Sequence, residues 1–408
     1  MGQDEFTLSD GLTGLGQADN AAAAVLVSEL FPPAVGGTPV LFEAIYSRLN
    51  MDVIVVADGP GGAAAVAPAG RLSVIRRPMA TRHWGVADRV GLAQHLSLLR
   101  ALRQVAVHPL AVVHCGRALP EGVAAWANRC LGGPRYICWS HGEDIAGSRQ
   151  SREHHMLVRR VSLGASANLA NSRNTARMIE ELGVPGSRIH VVYPGVDVQR
   201  FRPDVDGSAL RARHAPAGGV VLLSVGRLQR RKGHDLAIEA LARLDPALPI
   251  TYLIAGDGAE RARLEELAAQ LGQQQRVRFL GEVPAEDLPR YYAACDIFVL
   301  PNREADNDVE GFGIVFLEAA ATGRPTIGGR SGGVPEAVAD QVTGLLVGGT
   351  DADELAATIL QLVASEELRR AMGAAGRARA CQDFTWESAA AQVRQVHLEV
   401  AAMGRRPW

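Results

Sequence analysis

The 408-residue chain is too long for one ordinary hydrophobic core and predicts two domains of roughly 150–200 residues each. With 47% hydrophobic and 21% charged residues it is a globular sequence. A net charge of −2 and a pI near 6.6 exclude bulk electrostatic binding of nucleic acid.

Five cysteines at wide spacing, with no CxxC, argue against a disulfide scaffold or a zinc site. They read as buried free thiols of a reducing compartment. No apolar run approaches the ~18–20 residues of a membrane span. Residues 21–27 are too short, and acids rather than Lys or Arg precede them, so a cytoplasmic protein is expected. Residues 1–20, polar and Gly-rich, are expected to be a disordered tail.

In chain order, residues 22–28 (AAAVLVS) read as a buried strand, FPPAVGG as a loop, and 38–49 as a helix. Residues 52–57 (DVIVVA) form the next strand. The segment 59–70 reads as a low-complexity surface loop, 72–75 as a short strand and 87–107 as a long helix. Strands 110–114 and 136–139 flank a helix near 121–131. Strand 165–170 leads into the helix NSRNTARMIEELG, which stops at Gly183, and strand 189–193 closes this half. The run PGVDVQRFRPD, 194–204, has turn residues and no long period, so the domain boundary is placed there.

The pattern then restarts. Strands are expected at 220–225, 250–255, 277–280, 297–300 and 325–328, and helices near 234–244, 259–271, 285–294 and 314–322. Repeated βα units imply parallel sheets with helices on both faces, and two such blocks predict an α/β protein of two doubly wound domains across a cleft. Ligands bind at the carboxyl ends of the strands, where the cleft lies. The expected division is 21–200, 201–385, and a terminal helix at 386–408 that packs back on the first domain.

Three stretches carry chemistry. SVGRLQRRKGHD, 224–235, ends a strand, turns at Gly226, and sets Arg227 and Lys232 five apart ahead of a helix. Phosphates need cations at fixed distance, backbone N–H groups and a helix N-terminus; a solvated basic loop is the bland alternative. AGDGAE, 255–260, lets backbone pass close to a ligand or merely makes a tight turn. In EGFGIVFLE, Glu310 and Glu318 lie eight positions apart around two glycines and an apolar run. The apolar residues lock a helix starting at Ile314, whose N-terminus offers N–H groups to an anion. The two acids then accept hydrogen bonds from hydroxyls on either side of that anion, as a nucleotide sugar requires. A buried helix with one satisfied acid is the alternative.

GRLQRRKG, EGFGIVFLE and SGGVPEAV, in this order and spacing, resemble the retaining glycosyltransferases of family four, which have the GT-B fold and use nucleotide sugars. The resemblance spans roughly residues 22–395. FPPAVGG and SHGED, 140–144, match the first-domain pattern, and DVEGFGIVFLEAAATG is especially similar to the family's α-mannosyltransferases of phosphatidylinositol mannoside synthesis. The resemblance implies that Arg227 and Lys232 neutralise the donor diphosphate and stabilise the leaving nucleotide. Glu310 would hold hydroxyls of the transferred sugar, and His141 would touch that sugar near the reacting carbon. Gly226 and the backbone of Phe312, Gly313 and Ile314 would contact sugar and phosphate, and Glu318 would bind the ribose. Gly36 and Gly37 would let the first domain close on the diphosphate, and backbone near Phe279, Leu280 and Gly281 would receive the base. The sequence departs from the pattern after the glycines, where Thr38 and Pro39 replace the polar residue often found there.

The implied reaction is front-face transfer of a hexose to a hydroxyl acceptor with retained anomeric configuration, GDP-mannose being favoured over UDP-sugars as donor. No DxD motif stands where such enzymes hold a metal, and Asp306 and Asp308 read as a polar loop, so no cofactor and no metal are expected. A sugar-nucleotide epimerase shares the architecture. A dinucleotide oxidoreductase would need GxGxxG where FPPAVGG stands. A non-catalytic relic would have lost charges from a set that is complete here. SREHHMLVRR, 151–160, reads as a solvated helix face or as a contact with lipid head groups or an anionic acceptor.

Overall fold

The computed structural model describes residues 24–60, 65–66, 71–79, 83–105 and 111–404. The expected tail, most of the loop 59–70 and the last four residues lie outside them.

The first half contains β1 (Ala24–Ser28), α1 (Gly37–Tyr46), β2 (Val53–Asp58), β3 (Ala65–Val66), β4 (Leu72–Arg77), α2 (Arg89–Val105), β5 (Val112–Cys115), α3 (Val123–Cys130), β6 (Tyr136–Ser140), α4 (Glu143–Ser148), α5 (Arg152–Gly164), β7 (Ala167–Ala170), α6 (Arg173–Glu181) and β8 (Ile189–Val191). The sheet order is β3-β4-β2-β1-β5-β6-β7-β8, parallel except for the β3–β4 pair. In β1 the pleat sends Val25 and Val27 into one apolar cluster and Ala24 and Leu26 into the other. Both faces are covered, so the strand reads as an unbroken apolar run.

The second half contains α7 (Ser208–His214), β9 (Val220–Val225), α8 (His234–Arg243), β10 (Ile250–Ala255), α9 (Arg261–Gln270), β11 (Val277–Gly281), α10 (Leu288–Ala294), β12 (Ile297–Leu300), α11 (Ile314–Ala321), β13 (Thr326–Gly329), α12 (Val334–Ala337), β14 (Gly344–Val347), α13 (Ala352–Ala364) and α14 (Glu366–Asp383). Its sheet, β11-β10-β9-β12-β13-β14, is wholly parallel. In each sheet the first strand in sequence has its successor on one side and a later strand on the other. These are the switch points where the connecting loops part and leave a crevice.

The last helix, α15 (Trp386–Ala402), returns to the first sheet. Trp386, Ala389, Val393 and Val396 share a cluster with Phe42, Ile45, Tyr46 and Trp139. A buried chain of hydrogen bonds ties it down: Trp139 Nε1 donates to Tyr46 Oη (3.0 Å), Tyr46 Oη meets His114 Nδ1 (2.7 Å), and His114 Nε2 meets His397 Nδ1 (2.9 Å).

The helix expected near 121–131 is present as α3, and one π-helical segment, Ala118–Gly122, in which Leu119 alone leaves helical geometry, leads into it. Glu121, within that segment, is wholly buried, accepting from the Glu29 N–H (2.8 Å) and facing Arg117 (3.5 Å). Two expectations need correction, the bounds of the helix at 38–49 and the burial of the cysteines. The helix expected over 38–49 runs from Gly37 to Tyr46; Ser47 bonds back to the Glu43 carbonyl and Asn50 turns left-handed. The cysteines are all free, but only Cys115, Cys138 and Cys295 are buried, while Cys130 is exposed at the end of α3. Among the described residues no helix is long and apolar enough to cross a membrane.

Candidate active site

Strand β9 delivers the chain to Gly226, whose N–H bonds the Ala255 carbonyl at the end of β10 (2.9 Å). A single tight turn, Arg230–Lys232, then precedes α8. The turn directs Arg231 and Lys232 inward and leaves Arg227 exposed. Lys232 passes over Gly226, where a Cβ would lie 3.7 Å from its Cε.

Three donors converge on one oxygen of Glu310: Lys232 Nζ at 2.6 Å, Arg231 Nη1 at 2.7 Å and Asn302 Nδ2 at 2.8 Å. Arg231 also binds Asp308 (2.7 Å) and lies 3.8 Å from Glu143 of the first domain. Glu310 and Lys232 are each 8% exposed. Burial alone would raise the Glu310 pKa, but Lys232 and Arg231 overcome it and hold the carboxyl at about 2. Burial pulls the Lys232 ammonium below its usual range, against the opposing pull of Glu310. Arg227 has no hydrogen bond or ion pair to its side chain among the described residues, so its cation is uncommitted.

The EGFG loop is also where the domains meet. A Cβ on Gly311 would stand 2.1 Å from the His141 carbonyl oxygen, so only glycine allows this approach. Gly313 has φ +92°, and a Cβ there would lie 2.7 Å from the Phe316 ring. The chain then enters α11. The N–H groups of Gly313, Ile314 and Val315 have no acceptor among the described residues. Phe316 and Leu317 are buried in the second domain, whereas Ile314 packs on the first-domain cluster and sits 3.6 Å from a Cβ placed on Gly37. The N-termini of α1 and α11 therefore converge across the cleft. Gly36 precedes α1 in extended positive-φ geometry (φ 143°) with no side-chain cap.

Glu336 clamps the domains from the side. Its carboxylate accepts from the Arg173 and Asn174 N–H groups at the start of α6 (2.8 and 3.0 Å) and from Tyr193 Oη (2.9 Å).

In the first domain His141 is 7% exposed. Its Nε2 meets the Gly116 carbonyl at 2.9 Å, its backbone N–H meets Asp144 at 3.0 Å, and its ring stacks on Trp139 and abuts Phe42. These contacts fix Nε2 as the donor and leave Nδ1 without a bond among the described residues.

Of the residues singled out from the sequence, Gly226, Lys232 and Glu310 form one contact set. Gly37, Phe312, Gly313 and Ile314 form the adjoining wall, and His141 touches it through Gly311. Glu318 stands apart from Glu310; it is half-buried and accepts from Tyr292 Oη (2.7 Å). Burial raises its pKa, with the Tyr292 bond opposing. Phe279, Leu280 and Gly281 end β11, where the Gly281 carbonyl accepts from Gly256 (2.7 Å) and Arg261 covers the Phe279 ring at 5.4 Å. Sequence reading missed Arg231, Asn302, Tyr292 and Glu336. The neighbouring arginines of QRRKG hinted at the first, and the acid of SGGVPEAV at the last. Among the described residues no group of three or more His, Cys, Asp or Glu is arranged to hold a metal ion.

Residues 209–379 match the family described as Glycosyl transferases group 1, and residues 46–200 match Glycosyltransferase Family 4. A GDP-mannose-dependent alpha-(1-6)-phosphatidylinositol monomannoside mannosyltransferase of Mycolicibacterium smegmatis is 33% identical, over 91% of this chain and 97% of its own. A D-inositol 3-phosphate glycosyltransferase of Geodermatophilus obscurus is 40% identical over 54% of this chain and 49% of its own. Among solved structures, sucrose-phosphate synthase from Thermosynechococcus elongatus superposes with TM-score 0.79 at 24% identity, covering 94% of this chain and all of that one. HepE of Anabaena, crystallised with UDP and glucose, gives TM-score 0.75 at 21% identity, over 93% of this chain and all of that one. The folds are thus GT-B, and the chain belongs to the group 1, family four glycosyltransferases.

Proposed function

We propose that the protein moves a hexose from a nucleotide diphosphate sugar to a hydroxyl acceptor with retention of anomeric configuration. GDP-mannose is the favoured donor because the relatives matched over most of their length carry that donor in their names. The observation that carries the reading is the Lys232–Glu310 pair beside the open N-terminus of α11, with the uncommitted Arg227 on the same loop.

The chemistry follows from the charges. As the bond from the anomeric carbon to phosphate breaks, negative charge grows on the diphosphate and positive charge on the sugar. Lys232, buried and held in place, the exposed Arg227 and the N–H groups of Gly313 and Ile314 stabilise the first. Glu310 shares its oxygens between Lys232 and the sugar's hydroxyls. The acceptor hydroxyl attacks from the face the diphosphate leaves, its proton passes to the departing phosphate oxygen, and the nucleoside diphosphate is released. Glu318 serves the ribose and the end of β11 the base. No metal takes part in the proposed step, since these cations and N–H groups carry the leaving charge.

Proton NMR of the reaction with GDP-mannose and UDP-glucose, each with methyl α-mannoside as acceptor and with excess EDTA, tests this. An α-linked product from an α-linked donor supports it. An inverted product, or a new nucleotide sugar without transfer as an epimerase gives, contradicts it.

A further inference from the structure

A cavity of about 570 Å³ opens beside His141, walled by the first domain and closed on one side by the loop 306–308 of the second. His141, more than nine-tenths buried, forms part of its wall, and its Nδ1 is free of hydrogen bonds among the described residues. It lies next to the donor wall, since Gly311 touches the His141 carbonyl.

The charge of this lining is one-sided. Glu143, Asp144, Asp306 and Asp308 all contribute carboxylates. The single guanidinium in the wall, Arg117, is already paired with Glu29 and Glu121. Arg231, just behind, is divided among Glu143, Asp308 and Glu310. His154 is the remaining titratable group. An anion brought into this space finds no uncommitted cation and several carboxylates at short range. Asp144 Oδ2 and Asp308 Oδ1 have no donor among the described residues but are shielded from solvent, as is Arg117 Nε, so the carboxylates open to the cavity are those of Glu143 and Asp306. An ionised carboxylate only accepts, so Glu143 and Asp306 suit a ligand that offers O–H or N–H groups.

We infer that the acceptor ring seated in this cavity is an uncharged polyol, and that a ring phosphate, as carried by D-inositol 3-phosphate, is selected against by the carboxylates at 143, 144, 306 and 308. This rests on the transferase reading and narrows it. The carboxylates orient hydroxyls toward the anomeric carbon, and they separate acceptors that share a ring but differ in charge.

Saturation-transfer NMR on the full chain, with GDP and UDP in parallel, reads this directly. The ligands are myo-inositol and methyl α-mannoside against D-inositol 3-phosphate and mannose 6-phosphate. The neutral ligands are expected to bind at least tenfold more tightly than their phosphorylated counterparts. Glu143→Gln with Asp306→Asn should raise binding of the phosphorylated pair at least threefold. Gly147→Trp fills the cavity from α4, where a Cβ meets nothing within 4 Å, and should abolish polyol binding. Equal or tighter binding of the phosphates, no binding of either neutral polyol, or polyol binding that survives Gly147→Trp overturns the inference. Thermal stabilisation by GDP or UDP is recorded on the same samples and reports on the donor site alone. Its loss with polyol binding intact would fell the transferase reading and leave the charge selection standing.

Discussion

The two walls of the cleft handle charge in opposite ways. On the second-domain wall every buried charge is matched: two cations and an amide share one carboxylate oxygen. On the first-domain wall His141 is held by a carbonyl and two aromatic rings, and the carboxylates around it, two from the first domain and two from the facing loop 306–308, outnumber the cations. A matched cluster can exchange one anion for another at small cost, because the cations are already desolvated and in place. A wall of acceptors can orient hydroxyls but repels phosphate. The difference separates the two substrates by charge before any shape is considered.

The sharpest way to break this comparison is Glu310→Gln. It leaves Lys232 buried without its anion and Arg231 with only Asp308 and Glu143. Folding stability should fall by about 3 kcal/mol, and turnover by roughly 10²-fold or more, while a nucleoside diphosphate restores part of the stability. Chemical denaturation with and without GDP checks this. The same carboxyl sets an acid limb. Its pKa is held at about 2 against an ordinary 4.5, so its contribution is whole above about 4.5 and is lost as pH falls through about 2. A stability profile from pH 6 to pH 2 should therefore be flatter in Glu310→Gln than in the unaltered chain.

Arg227→Ala acts on an exposed, uncommitted cation. Turnover should drop on the order of tenfold or more, with stability unchanged within about 0.5 kcal/mol. A comparable loss of stability would show that Arg227 is structural. Gly313→Ala forces a side chain into left-handed backbone against Phe316 and should cost about 1–3 kcal/mol and weaken nucleotide binding. The smallest effect belongs to Tyr292→Phe, which removes the donor to Glu318. About 1 kcal/mol of stability is at stake, with KM for the nucleotide sugar raised a few-fold and kcat little changed.

The βα alternation was legible because strands buried on both faces read as continuous apolar runs, as in AAAVLVS and VVLLSV. Lys232 and Glu310 were legible because a strand end, a glycine and a charge recur at both loops. What was not legible is what tertiary contact decides. Nothing local tells Arg230 from Arg231, yet only the second turns inward. Asn302 lies in a loop with no period, and its role needs the loop that brings Glu310 back to it. Gly311 is one of two similar glycines in EGFG, and nothing local shows that its Cβ position is occupied by the other domain's backbone. Glu336 looks like an ordinary first-turn acid of a short helix, but its partners lie 162 and 163 positions away. The short elements α4, α7 and β14 lie outside the regular βα alternation that made equally short strands such as β12 and β13 legible.

The most direct test of the central claim is the thermal stability of the unaltered chain and Lys232→Ala with GDP, UDP, ADP and their sugar conjugates. A nucleotide at a hundred times its Kd should stabilise the unaltered chain by about 2.7 kcal/mol. The account predicts such a shift with one nucleotide family, GDP-mannose foremost, and its loss in Lys232→Ala. An equal shift in Lys232→Ala, or none with any nucleotide, would contradict it.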